Sequence, residues 1–392
     1  MTSLRILIVL TDPPLPFGNA AARWYYVLCK GLVERGHRVT VFAAYSKPEE
    51  LEQACKLFPA PQYDMRYYTH QMRTGLRGKL ETLRRPYSYL FSPELQRDLD
   101  AEIERGCDIL HLEHIWTGWL GLKHTQRTLL TVLYVFGIDL ADTNSPTFAG
   151  RLRQRLSLRA EKSLLRHYPV ISTLTPRLTD FVRAINPAAS VQTVPLGLDF
   201  SLYPFAVEQP SQTPPVVSLI GSFSWGPTHS AGVRLLTRLW PEIKRRLPQA
   251  QLQIVGREAR KAMEPFIGGA DIAIHENVPD TLPYFRRASV LLYAPSRGSG
   301  MKVKVMEAMA LGVPVVTTSE GVEGLPAEDG IHAGVCEDDE GLIARTVALL
   351  NNPAQQHRQR HAARALIERH CGPEPTLAAV EEVYRSILPK TF

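Results

Sequence analysis

Short runs of Val, Ile and Leu recur along the chain, separated by segments of helix length. One series occupies residues 4–10, 39–43, 109–112, 129–135, 169–173 and 191–195, and a second occupies 216–220, 252–255, 272–275, 290–294 and 313–317. Runs that stay apolar without alternation suit strands covered on both faces, which is the situation in parallel sheets flanked by helices. The pattern therefore predicts an α/β fold with two Rossmann-like domains. Between 200 and 215 periodicity gives way to proline and polar residues, which places a boundary there and predicts domains at 1–199 and 200–373. Cys371-Gly372-Pro373 breaks the last long helix, and 376–388 reads as a separate amphipathic helix.

A length of 392 residues with 44% hydrophobic content supports two cores of ordinary size. The apolar run at 6–10 is too short for a signal segment or a membrane span, so a soluble, cytosolic chain is expected. The five cysteines lie far apart with no C-x-x-C pair, which suits reduced thiols better than disulfides or zinc. Charge changes the picture more. Residues 1–200 hold 25 Lys+Arg against 19 Asp+Glu, whereas 201–392 hold 20 of each, so all of the net +6 sits in the first half. That excess fits an anionic or membrane-surface partner, or simply a solvated face. No nucleic-acid partner is expected.

The most informative chemistry lies in RGSGMKVKVMEAMALGVPVV, residues 297–316. Gly298 and Gly300 leave room for backbone to approach a phosphate, and the following helix presents unpaired N–H groups and the positive end of its dipole. Lys304 adds a point charge, and Glu307, on the same helical face, offers carboxylate oxygens to a ribose diol. The plain alternative for Glu307 is a first-turn glutamate that stabilises a helix start by roughly 0.3–1 kcal/mol.

This segment resembles the donor-binding motif of the family-4 retaining glycosyltransferases of the GT-B fold. Glu307, Ala308, Met309, Ala310, Gly312, Pro314, Val315 and Val316 fill the second half of that motif. The first half departs, because Ser299 stands where the family has a glutamate that contacts the donor sugar. The form without that glutamate also resembles a branch associated with bacterial envelope and exopolysaccharide synthesis. The segment at 193–199, TVPLGLD, resembles the family's interdomain P-N-G-V-D, with Leu196 in place of asparagine. The resemblance implies two Rossmann-like domains facing a cleft. The N-terminal one would bind the acceptor and the C-terminal one the donor, with a terminal helix at 374–392 crossing back to the first.

It also directs attention to further positions. Gly18, in the loop after the first strand, corresponds to a glycine that faces the donor pyrophosphate, or is a simple turn glycine. In DILHLEHIW, alternation puts His111 and Glu113 on one strand face and His114 near the turn. Family members place a histidine or acid there, near the donor sugar, so a catalytic role is expected for Glu113 or His114. Asp139, expected at the next strand end, is an acceptor-side candidate. Gly221 and Ser222 replace the usual Gly-Arg, and Pro227-Thr228 the usual Lys-Gly, so charge compensation would fall on Lys304 with Lys302, Arg297 or Arg257 as helpers. Ser299, Gly300 and Met301 complete the donor loop, and Val278 is a neighbour for the base. The helix at 151–167 carries six Lys+Arg and one acid, Glu161, between leucines at helical spacing. It reads either as a core-packed helix with a basic outer face or as a surface for anionic lipid.

The activity implied is sugar transfer from a nucleoside diphosphate sugar, UDP- or GDP-linked, to an acceptor hydroxyl with retention and without a metal or other cofactor. A carbohydrate, glycolipid or small-molecule acceptor is expected. Rival readings are a sugar-nucleotide epimerase or hydrolase of the same fold and a non-catalytic GT-B scaffold, to which the missing glutamate lends weight.

Overall fold

The computed structural model of the protein describes residues 3–70, 75–141, 147–206, 214–268 and 271–388. The chain divides into two compact units, one comprising Met1–Leu198 and Pro373–Phe392, the other Asp199–Gly372. Part of the proline-rich boundary stretch, 207–213, lies outside the described residues.

The first unit is built on β1 (Arg5–Leu10), β2 (Arg38–Tyr45), β3 (Asp64–Thr69), β4 (Ile109–Glu113), β5 (Thr128–Val132), β6 (Val170–Thr173) and β7 (Ser190–Thr193). Among the described residues they form one parallel sheet in the order β3-β2-β1-β4-β5-β6-β7. The strands β4, β5 and β6 are buried along their whole length, as strands packed on both faces must be. The edge strand β3, DMRYYT, escapes an apolar-run search because it mixes charge with aromatics and is mostly part-exposed. The helix Pro373–Ile387 packs on the helix Ala20–Glu34 and on β5 and β6. Its Glu381 accepts from Arg35 and pairs with His37 at 2.9 Å, which ties this helix into the first unit.

The second unit contains β8 (Val216–Ile220), β9 (Gln251–Gly256), β10 (Ile272–Glu276), β11 (Val290–Tyr293), β12 (Val315–Thr317) and β13 (Gly334–Val335). These strands are again parallel, in the order β10-β9-β8-β11-β12-β13. Strand order reverses direction at β1/β4 in the first sheet and at β8/β11 in the second. In open α/β sheets the loops leaving the carboxyl ends of such strands diverge and leave a crevice for ligands. Those loops are 11–19 and 114–119 in the first unit and 221–225 and 294–302 in the second.

Among the described residues no helix is long and apolar enough to cross a membrane.

Candidate functional site

The loop after β11 turns through Gly298 and Gly300, the latter with φ of 78°, into the helix Val303–Leu311. The run VKVMEAMAL is rich in strong helix formers and is stopped by Gly312, whose φ of 79° allows its N–H to reach Met309 while Val313 N–H reaches Ala308. Pro314 follows at once. Every residue of this helix is buried except Lys304, which keeps part of its surface, so Lys304 marks the helix's open side.

The Lys304 ammonium donates to Thr228 Oγ1 and lies 4.4 Å from the centroid of the Tyr293 ring at the end of β11. Gly221, at the end of β8, stands close by, and a methyl group there would come within 2.8 Å of Lys304 Nζ. Burial, with the Lys302 charge nearby, lowers the Lys304 pKa to about 7. A cation held in a seat that disfavours its charge gains most from an arriving anion. Gly256 completes the packing beneath. It has φ of 142°, and a Cβ there would stand 1.8 Å from the Gly221 carbonyl oxygen, so the β8 and β9 ends meet backbone to backbone. Gly221 N–H to Val255 and Phe223 N–H to Arg257, both 2.9 Å, close that junction.

The other expected donor residues separate into groups. Lys302 caps the helix start, and its ammonium donates to the carbonyls of Gly298 and Gly300 and lies 3.5 Å from Glu323, so it shapes the loop from within. Ser299 and Met301 are buried in the same loop. Glu307 is the fifth residue of its helix, beyond the first turn where a dipole contribution acts, so the first-turn reading of it is corrected. It is buried and accepts from the Tyr203 hydroxyl at 3.1 Å. Ser222 bonds Ser224 at 2.8 Å, Arg257 and Arg297 are exposed, and Val278 is half-buried beside Asn277, which adopts φ of 52°.

In the first unit, β4 ends on a polar cluster inside the sheet. His111 Nδ1 meets the Tyr384 hydroxyl at 2.7 Å, and its Nε2 lies 2.8 Å from Thr131 Oγ1 and 3.0 Å from Glu113 Oε1. If Nε2 carries the proton toward the carboxylate, Nδ1 accepts from the tyrosine, which satisfies both nitrogens. Trp24 donates to Glu113 Oε1 at 3.1 Å, while Glu113 Oε2 has no hydrogen-bond partner among the described residues. Glu113 is 0% exposed, whereas His114, the next residue, is 8% exposed.

His114 has φ of 86° and ψ of 137°, a region a side chain occupies only under strain. Its Nδ1 accepts the Trp116 N–H at 3.3 Å, its ring meets Tyr134 edge-on, and burial lowers its pKa to about 4. A neutral imidazole with Nδ1 occupied leaves Nε2–H as a donor. Gly18, with φ of 91°, precedes Asn19, which caps the first helix and also donates to Asp12 at 2.9 Å.

Asp139 does not end a strand. The strand β5 stops at Val132, and Asp139 closes a short helical turn, Phe136–Asp139, whose first N–H groups are received by Glu161 at 2.6 and 2.9 Å. Glu161 is buried, and that burial raises its pKa to about 7, with Asp139 adding to the effect. Thr228, Tyr293, Tyr203, Gly256 and Tyr384 join these clusters only through the fold. The partner of Tyr384, His111, lies 273 residues off, and apart from Thr228 of the Pro227-Thr228 pair, no motif announces these residues.

Residues 21–202 match the family described as Glycosyltransferase Family 4, and residues 214–352 match Glycosyl transferases group 1. A glycogen synthase from Mycobacterium tuberculosis is 22% identical over 97% of this chain and 94% of its own length. Among solved structures, a sucrose-phosphate synthase from Thermosynechococcus elongatus superposes with a TM-score of 0.73 at 16% identity, covering 98% of this chain and 99% of that one. The Anabaena protein HepE in complex with UDP-glucose gives 0.70 at 11% identity, covering 97% and 100%.

Proposed function

Because the chain belongs to the family-4 glycosyltransferases of the GT-B fold, we propose that it moves a hexosyl group from a UDP-sugar to an acceptor hydroxyl with retention, and needs no divalent metal. The observation that carries this reading is the seat of Lys304, where a desolvated cation, the Gly221 backbone and the start of the helix Val303–Leu311 converge at the β8/β11 switch point. As the bond from the anomeric carbon to the phosphate oxygen breaks, negative charge collects on the departing diphosphate. A fixed cation and helix-start N–H groups stabilise that charge without reorganising. GDP is the alternative nucleotide. HepE was solved with UDP-glucose, which favours UDP.

On a front-face route the acceptor oxygen bonds to the anomeric carbon on the side the diphosphate leaves. The acceptor proton passes to the leaving phosphate oxygen, so no strong protein base is required. Glu307 receives the ribose diol, with its carboxylate oriented by Tyr203. His114 donates Nε2–H from a neutral ring to a sugar hydroxyl, and Glu113 and His111 hold the end of β4 beneath it. Ser299 offers the sugar a hydroxyl in place of the family's first glutamate. Asp139, on the turn held by Glu161, serves the acceptor side. The acceptor is an envelope polysaccharide or lipid-linked glycan, and the chain works in the cytoplasm.

Calorimetric titration with UDP, GDP and their sugars, followed by transfer assays with labelled donors in EDTA, tests the reading. Tight UDP binding with transfer in chelator supports it. Turnover without acceptor would point to an epimerase or hydrolase, binding without turnover to a scaffold, and loss of transfer in EDTA would remove the metal-free mechanism.

A further inference from the structure

Ten large apolar side chains are exposed among the described residues, and five of them lie on two helices that pack beside each other in the first unit. On the helix Gly75–Arg84, Leu76, Leu80 and Leu83 are 87%, 69% and 48% exposed. Their four- and three-residue spacing puts them on one face, and the buried Gly78 lies on the opposite one, so the leucines point away from the protein. On the helix Phe148–His167, Phe148 and Leu152 are 76% and 43% exposed at the same spacing.

The outward face of that second helix then continues in cations. Arg151, Arg155, Arg159 and Lys162 are all exposed and recur three or four residues apart in line with Phe148 and Leu152, while Ser157, Ala160, Glu161 and Leu164 face inward. The inward face of the helix is packed, and the outward face carries this exposed apolar and cationic stripe. An apolar stripe bordered by arginine and lysine costs free energy in water, and it is complementary to a surface that is apolar inside and anionic at its boundary.

We propose that this two-helix face docks on an anionic lipid bilayer. The leucines and Phe148 enter the boundary between headgroups and acyl chains, and the cations of the second helix lie at the level of the lipid phosphates. Neither component alone holds a protein on a membrane firmly, and their combination does. The inference does not depend on the transfer reaction, and it fails or stands separately from it.

The test is flotation of the full-length protein with vesicles of phosphatidylglycerol and phosphatidylcholine, compared with phosphatidylcholine alone. Two variants accompany it, Leu80→Asp with Phe148→Asp and Arg155→Glu with Arg159→Glu, each checked for an unchanged circular dichroism spectrum and thermal unfolding midpoint as the sign of an intact fold. The protein is expected to float with the anionic vesicles and to be released by salt. Each double variant should weaken that binding roughly tenfold or more. The proposal is overturned by absence of flotation, by equal binding to neutral vesicles, or by variants that float like the parent. It is also overturned if the leucine variant matters only to a concentration-dependent dimer, or if the arginine pair alone matters, which would indicate an acidic polymer rather than a bilayer.

Discussion

The two switch-point clusters solve opposite problems with the same topology. At the end of β4 in the first unit, polar groups are paired with one another. His111 is held by Tyr384, Thr131 and Glu113, so the cluster's polarity is spent inside the fold except at Glu113 Oε2, which has no hydrogen-bond partner among the described residues. At the ends of β8 and β11 in the second unit, Lys304 is part-exposed, with a lowered pKa, a threonine hydroxyl and a tyrosine ring as its partners among the described residues, and a second cation, Lys302, nearby. Interactions completed within the protein contribute stability, whereas a cation left short of counter-charge is available to a ligand. The first cluster positions and the second waits.

Substitutions can break this contrast in graded ways. The largest effect is expected from Gly256→Ala, because the new Cβ would meet the Gly221 carbonyl at 1.8 Å and the backbone cannot retreat without opening the β8/β9 junction. Urea unfolding should show a loss of about 3 kcal/mol or more together with loss of UDP binding, and a small change would mean the junction is softer than its packing. Lys304→Ala should act on the ligand instead. UDP affinity should fall by roughly ten- to a hundredfold, the usual size of a charge-assisted contact, while thermal stability stays level or rises because a desolvated ammonium has gone. Unchanged affinity would remove the site assignment.

A smaller effect is expected from pH alone. With the Lys304 pKa at about 7 in the free protein, raising the pH deprotonates it, and a bound diphosphate pulls the proton back. UDP affinity should therefore drop roughly tenfold from about pH 6 to about pH 8, with proton uptake on binding visible as buffer-dependent heats, and Lys304→Ala should flatten the profile. The smallest effect belongs to Tyr384→Phe, which leaves His111 Nδ1 without its donor. It should cost about 1–2 kcal/mol in stability and leave UDP affinity untouched, and a shift in affinity would show that the two clusters are energetically linked.

What was legible in the sequence follows the same division. The glycine turn and the helix after it could be read because their determinants are local. Gly298, Gly300, Lys304 and Glu307 fall within one turn and one helix, so spacing alone places them. The apolar runs likewise announced eleven strands, while β3 escaped by carrying charge at a sheet edge and β13 by its two-residue length. The position of Asp139 on a helical turn was not legible, because the turn is held by Glu161 from a helix that reads, by its arginines, as a surface element. Glu161 itself illustrates the limit. In sequence it is one acid among cations, and burial alone makes it the partner of a loop.

By itself the sequence determined two parallel α/β units, the glycine-bounded helix bearing Lys304 and Glu307, and the excess of basic charge in the first half, because each depends on periodicity, local backbone freedom or composition. Only the tertiary structure decided that Lys302 turns inward to the loop carbonyls while Lys304 keeps an open side, and that Glu113 is enclosed beside a strained His114. It also decided that Leu76 and Phe148 share a face with a row of arginines. Those outcomes depend on which distant groups burial brings together and which it leaves facing water, and no short-range pattern encodes that.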